Sequence, residues 1–232
     1  MGYPRPLHGR LLTTSFIPEP PTGITDPVVL SYLRTLRKTL VGQSVTMDDV
    51  VGVGTIGVHN IWISAGAMRG ALKFNPIAYC SVLAQIGGSS TTPDIMSLDF
   101  DNVNQEYADF SMAMPKSWNE GTVTFNPYWS QRTTNATAGV VWNLCGLSVS
   151  NAESMGNVLG TVQKSTDTGG TGGCLYIGPT SSAITISNTP AAKDLVFFRI
   201  SRVTGDSNDT LAQDARLHGI MLNITVDADN DE

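Results

Sequence analysis

Carboxylates come in close pairs along this chain: Asp48 with Asp49, Asp99 with Asp101, Asp206 with Asp209. Two carboxyl groups facing each other across a cleft are the equipment of glycoside hydrolysis. Nearness in sequence does not place them across a cleft. Asp206 and Asp209 stand in Thr204-Gly-Asp-Ser-Asn-Asp-Thr210, where short polar side chains bond to nearby backbone, so they read as turn residues. Gly52, Gly54 and Gly57 match a dinucleotide fingerprint by spacing. That fingerprint must open a helix, and the strand-like Val58-His-Asn-Ile-Trp-Ile63 follows instead, so the glycines read as a hinge. His8, His59 and His218 are far apart, and Cys80, Cys145 and Cys174 make no CxxC. Neither set suits a metal or a disulfide framework. Cys145 lies in an apolar run and reads as a small buried hydrophobe. With no Gly-x-Ser-x-Gly and no nucleophile-and-base order, the expectation is a protein that is not an enzyme and carries no cofactor.

Aromatic side chains are the other candidates, because a glycan platform uses exposed Trp or Tyr. Trp62, Trp118, Tyr128, Trp129 and Trp142 fall in one part of the chain. Core packing is the simpler reading for most of them. Trp118 is the candidate glycan contact, since Pro115-Lys-Ser-Trp-Asn-Glu-Gly121 reads as a turn. Tyr128 and Trp129 are neighbours on a strand and must point to opposite faces.

These residues need elements to hold them. Hydrophobic residues make up 41 % of the 232, enough for a real core, while charged residues reach only 15 % against a usual share of about 25 %. Ten strands are expected, near 60–64, 79–84, 95–100, 106–114, 122–129, 140–150, 174–177, 183–187, 195–203 and 217–226. Their spacing, with turn residues between, is that of a sandwich. The last two, either side of the polar loop, read as a long antiparallel pair. Gly169-Gly-Thr-Gly-Gly173 reads as a flexible surface loop. No run approaches the ~20 apolar residues of a membrane span, and none resembles a signal peptide. Synthesis in a reducing cytoplasm without membrane insertion is expected.

The N-terminal quarter differs. Prolines at 4, 6, 18, 20, 21 and 27 favour an extended arm that lies on something else. Asp26 can cap a helix, Pro27 suits its first position, and Gly42 lies past its end; Leu30, Leu33, Leu36 and Leu40 fall at helical spacing. Arg34, Arg37 and Lys38 share one face of that helix, as a solvated face or as a docking contact for an acidic neighbour. The formal net charge is −6, and no basic stripe marks a nucleic-acid binder.

Several motifs occur in a particular order: Asn60-Ile-Trp-Ile-Ser-Ala-Gly-Ala-Met-Arg69, Ser97-Leu-Asp-Phe-Asp101, Met114-Pro-Lys-Ser-Trp-Asn-Glu-Gly-Thr-Val-Thr-Phe125, Tyr128-Trp129 and Gly139-Val-Val-Trp142. Phe198-Arg-Ile-Ser-Arg202, Asp209-Thr210 and Asp214-Ala-Arg-Leu-His-Gly219 close the series. Over about residues 60–226 this resembles a family of tailed-bacteriophage virion surface proteins, of tail-fibre or head-decoration type. The resemblance implies a jelly-roll-like β-sandwich displayed on the particle, often as a trimer, and no catalytic residues.

The combined expectation is an all-β, jelly-roll-like antiparallel β-sandwich over residues 56–232, with an N-terminal extended arm and one short α-helix over 1–55. The arm and Arg34, Arg37 and Lys38 would dock it on capsid or tail proteins, and the sandwich would contact host surface polysaccharide. Two rivals stand beside this. One is a capsid cement protein that binds no receptor; the other is a tailspike-like glycan depolymerase.

Overall fold

Period-two patterning governs the architecture. In β11 (Ala215–Val226) the residues Leu217, Ile220, Leu222, Ile224 and Val226 are buried, and from Ile220 onward half-buried residues alternate with them. In β6 (Thr124–Gln131), Phe125 and Trp129 point into the core. The structure, a computed structural model, describes residues 57–71 and 81–227. The expected arm, the helix near 27–41 and its Arg34, Arg37 and Lys38 lie outside the described residues.

The described residues form eleven strands: β1 (Gly57–Ser64), β2 (Arg69–Gly70), β3 (Ser81–Gly87), β4 (Asp94–Phe100), β5 (Tyr107–Ala113), β6, β7 (Gly139–Val149), β8 (Gln163–Thr168), β9 (Leu175–Ile177), β10 (Leu195–Arg202) and β11. Helical structure among the described residues is a single 3-10 turn, Ala65–Ala67, capped by the Ser64 hydroxyl, which accepts from the Gly66 N–H. One sheet has the order β3-β4-β11-β6-β9 and the other β2-β5-β10-β7-β8, with all neighbouring strands antiparallel. β1 adds to the first sheet along β11, over Gly57↔Val226 to Ser64↔Gly219. It shares that edge of β11 with β4, which pairs at Ala215–Leu217.

From β4 onward every connection except β7–β8 crosses from one sheet to the other. Counted from β4, the four-strand cores run first-eighth-third-sixth and second-seventh-fourth-fifth. That is jelly-roll wiring, a hairpin ribbon folded over so that its two halves face each other. The wiring corrects one expectation. β10 and β11 do not pair; they lie in opposite sheets. Their connection, residues 203–214, is too long for a hairpin loop and carries the chain across the end of the sandwich.

The core lies between the sheets. Phe100 of β4 meets Trp142 of β7 edge-on at 5.2 Å and 89°, joining the two layers. Phe110 and Phe198, cross-strand partners in the second sheet, stack at 5.0 Å. Such burial, at about 25 cal/mol per Å² of apolar surface, drives the fold. β7 is buried along nearly its whole length, and Leu147 on its outer side shares a cavity lining with Met155, Val158 and Leu159.

The crossing between β10 and β11 is held by a buried ion pair. Arg202 and Asp209 have side-chain exposures of 0 % and 2 %, with Nη2 donating to Oδ1 at 2.7 Å. The guanidinium also donates to the carbonyls of Phe100, Gln213 and Leu211, so its N–H groups are satisfied although water is excluded. Asp209 in turn accepts from the Val141 N–H, and Asp206 from the Asn208 N–H, as turn carboxylates do.

Three further differences have physical causes. β8 is strongly polar, Gln-Lys-Ser-Thr-Asp-Thr, and shows no alternation to read because it is an edge strand that buries only Ser165. The expected strand at 183–187 is reduced to single bridges, Val123↔Ile184 and Leu147↔Ser187. The glycine run 169–173 is tied down: Gly169 N–H donates to Ala138 O, and Gly173 N–H to Gln131 O. A Cβ at Gly169 would overlap the Gln131 side chain at 2.0 Å, so the glycine is there for close approach.

Candidate ligand-binding groove

β1 sends Ile61 and Ile63 toward the core. Alternation therefore turns Trp62 to the outer face of the first sheet, where it is 46 % exposed. The same rule applied to β6 buries Trp129 and turns Tyr128 outward, as expected from the sequence. Trp62 and Tyr128 meet edge to face, with centroids 4.9 Å apart at 79°.

Gly219 makes this meeting possible. A Cβ there would lie 2.5 Å from the Ile63 carbonyl oxygen and 2.6 Å from the Trp62 ring. The indole rests where a side chain would stand. Just before Gly219 the register of β11 against β6 shifts, between Leu217 and Gly219. His218 is the extra residue of this bulge, and bulges commonly re-aim a side chain in this way. Its Nε2 shares a hydrogen bond of 2.9 Å with Ser130 Oγ.

Trp62, Tyr128, Ser130 and His218 line a groove of about 470 Å³ together with Ile95, Leu175 and Arg216. The Arg216 Nε donates to Asp99 Oδ2 at 3.4 Å. Burial holds the His218 imidazole below its ordinary pKa, with Arg216 adding to the shift and Met96 and Asp99 opposing it. His218 is thus a neutral hydrogen-bonding group near pH 7.

Ser130 and His218 resemble two parts of a nucleophilic triad. The third part is missing, since no carboxylate is hydrogen-bonded to His218 Nδ1, and Ser130 is itself buried. No group of three His, Cys, Asp or Glu suited to a metal occurs among the described residues. Burial pushes the Cys145 thiol up to about 11, which keeps it unreactive. Asp99 pairs with Arg216, and Asp101 Oδ1 accepts from the Val103 and Asn104 N–H groups.

Trp118, the tryptophan expected to be most exposed, is 1 % exposed. Its turn folds over the end of β11: Trp118 bridges to Val226, and the Asn119 N–H donates to Thr225 O. The indole is thereby inserted into the core and cannot meet a glycan. Trp62 holds the exposed position instead. The signal for it was the Ile-Trp-Ile alternation, which sets the tryptophan against two core residues.

No protein-family model matches the chain, and no curated protein sequence matches it. Among solved structures, the CBM36-1 domain of a multidomain xylanase from the hindgut metagenome of Trinervitermes trinervoides is similar at 10 % identity. That similarity covers 71 % of this chain and 96 % of the module, with a TM-score of 0.35. A family 11 carbohydrate-binding module from Clostridium thermocellum, in complex with a mixed-linked β-1,3-1,4 tetrasaccharide, gives 10 % identity, 73 % and 89 % coverage and a TM-score of 0.34. The structure of infectious bursal disease virus, Gx strain, gives 8 %, 66 % and 41 %, and 0.28. The jelly-roll assignment rests on the strand order of the chain itself.

Proposed function

We propose that the protein is a non-catalytic glycan-binding module of a virion surface, and that the Trp62–Tyr128 groove is where it holds the glycan. The observation that carries this is a solvent-facing tryptophan braced by a tyrosine beside hydrogen-bonding groups fixed in place. Sugar rings present apolar C–H faces and polar hydroxyl rims. A groove with an aromatic wall and a few placed polar groups, Arg216 and His218 here, matches both. The virion setting draws on the ordered tryptophan motifs of residues 60–226. In that setting the N-terminal segment docks the module on capsid or tail, and the sandwich, as a homotrimer, faces the host.

Affinity electrophoresis through gels containing host polysaccharide tests this. Wild-type protein is expected to be retarded and Trp62→Ala to run as in a blank gel, with both giving the same circular dichroism spectrum. No retardation by any host polysaccharide would reject the glycan reading.

One feature favours the cement alternative. On the other sheet, Met155 and Val158 are exposed at 68 % and 82 % beside a cavity of about 440 Å³ lined also by Leu147 and Phe197. Exposed apolar patches of this kind suit protein contacts. Counting copies per particle separates the two, hundreds favouring cement.

A further inference from the structure

A second cavity, of about 210 Å³, lies beside the groove and is lined by Asp99, Arg132, Gln213, Asp214 and Arg216. Arg216 lines both spaces. We infer that the two form one continuous site for an uncharged oligosaccharide, with a stacking subsite at Trp62–Tyr128 and a hydroxyl-binding subsite around Arg216, Asp99 and Asp214. This rests on the glycan reading above and gives it a ligand class.

Charge is the first argument. Arg132 and Arg216 are balanced by Asp99 and Asp214, and the groove's histidine is neutral. A site for an acidic sugar would carry guanidinium in excess, because Arg binds carboxylates as a two-pronged fork. Here carboxylates share the lining. Burial, then Asp101 and Asp99, hold the Asp214 carboxyl above its ordinary range, against the opposing pull of Arg202 and Arg216. An anionic ligand in this cavity would stand beside the Asp99 and Asp214 carboxylates. Alternating donors and acceptors are instead what hydroxyl groups use, since each hydroxyl both donates and accepts.

Fixity is the second argument. The Gln213 side chain is locked to the neighbouring loop, accepting from Thr133 N–H and donating to Thr133 O. Arg216 spends only its Nε on Asp99, which leaves its two terminal amino groups for a ligand spanning both spaces. A single ring at the aromatic wall would not use them. Chain length should matter for that reason.

An array carrying both neutral and uronate-, sialate- or sulfate-bearing oligosaccharides tests the class. The expected hits are neutral and longer than one ring. Titration calorimetry on the best hit and its shorter forms should show affinity rising about tenfold or more from one unit to three. The double variant Asp99→Asn with Asp214→Asn should admit anionic chains that wild-type protein rejects. Hits confined to anionic glycans, or equal affinity for one unit and three, would overturn the inference while leaving the glycan reading intact. An array without hits would overturn that reading as well.

Discussion

The indole of Trp62 occupies the space that a side chain on Gly219 would fill, with only 2.6 Å between its ring and an ideal Cβ there. The two residues lie on adjacent strands, and the glycine sets where the groove's aromatic wall stands. Gly219→Ala should therefore act twice. Crowding the Ile63 carbonyl and the ring should cost about 1–3 kcal/mol, the usual scale of overpacking. The displaced indole should weaken glycan retention. Urea melts read the first effect, and tryptophan emission with affinity electrophoresis the second.

Breaking the buried Arg202–Asp209 pair from one side should be severe. Asp209→Asn leaves a guanidinium without its counter-charge in a water-free site, a change that typically costs about 3–5 kcal/mol. A double-mutant cycle with Arg202→Met and Asp209→Leu should show strong coupling, the double variant being more stable than the two single losses predict. Additive losses would mean that the backbone carbonyls around Arg202, rather than Asp209, hold it.

Stability should fall as pH rises toward neutrality. Burial pushes the Glu106 carboxyl up to about 7, opposed by its hydrogen bond from the Asp101 N–H. Between the ordinary value of 4.5 and about 7 the folded protein holds a proton that the unfolded chain releases. Folding is therefore favoured at the acid end of that window and loses this contribution through it. Urea midpoints at pH 5 and pH 8 should differ in that direction, and Glu106→Gln should flatten the difference.

Asp194 should set the acid limit. Burial works to raise its pKa, but hydrogen bonds from the Ser150 and Ser148 hydroxyls and the Ala191 N–H outweigh it and lower the value. Its contribution is present above the ordinary carboxylate range and lost as pH falls through the lowered value. Ser148→Ala with Ser150→Ala should move acid unfolding to higher pH, followed by circular dichroism.

A chain beginning at Gly57 should fold alone. β1 starts there, and the core residues described belong to strands and turns that follow it. Such a chain should be β-rich and melt cooperatively; an aggregated product would show that the preceding residues are needed.

Much of the sandwich was legible because its strands obey a local rule. Alternation in β6 and β11 and the largely apolar run of β7 mark buried faces whatever their partners. Sheet membership was not legible, since β10 and β11 are neighbours in sequence yet separated by the core. β8 was invisible because an edge strand needs no apolar side. Trp118 misled for a related reason: a turn sequence states that the chain reverses, not what it reverses onto. The groove was half legible. The Ile-Trp-Ile and Phe-Asn-Pro-Tyr-Trp patterns give the facing of Trp62 and Tyr128. Their meeting depends on β1 pairing with β11 and on a bulge at His218, and both are long-range events.

Gly57 is registered against Val226, so the chain enters and leaves the sandwich side by side. Trp62 stands five residues further along β1, roughly 17 Å away at about 3.4 Å per residue. A particle tethered through the chain before Gly57 and a glycan held in the groove would pull on opposite ends of this geometry. The tension runs along β1 rather than across it. Its rungs to β11 are then loaded in shear, all sharing the force at once, instead of being peeled open one after another.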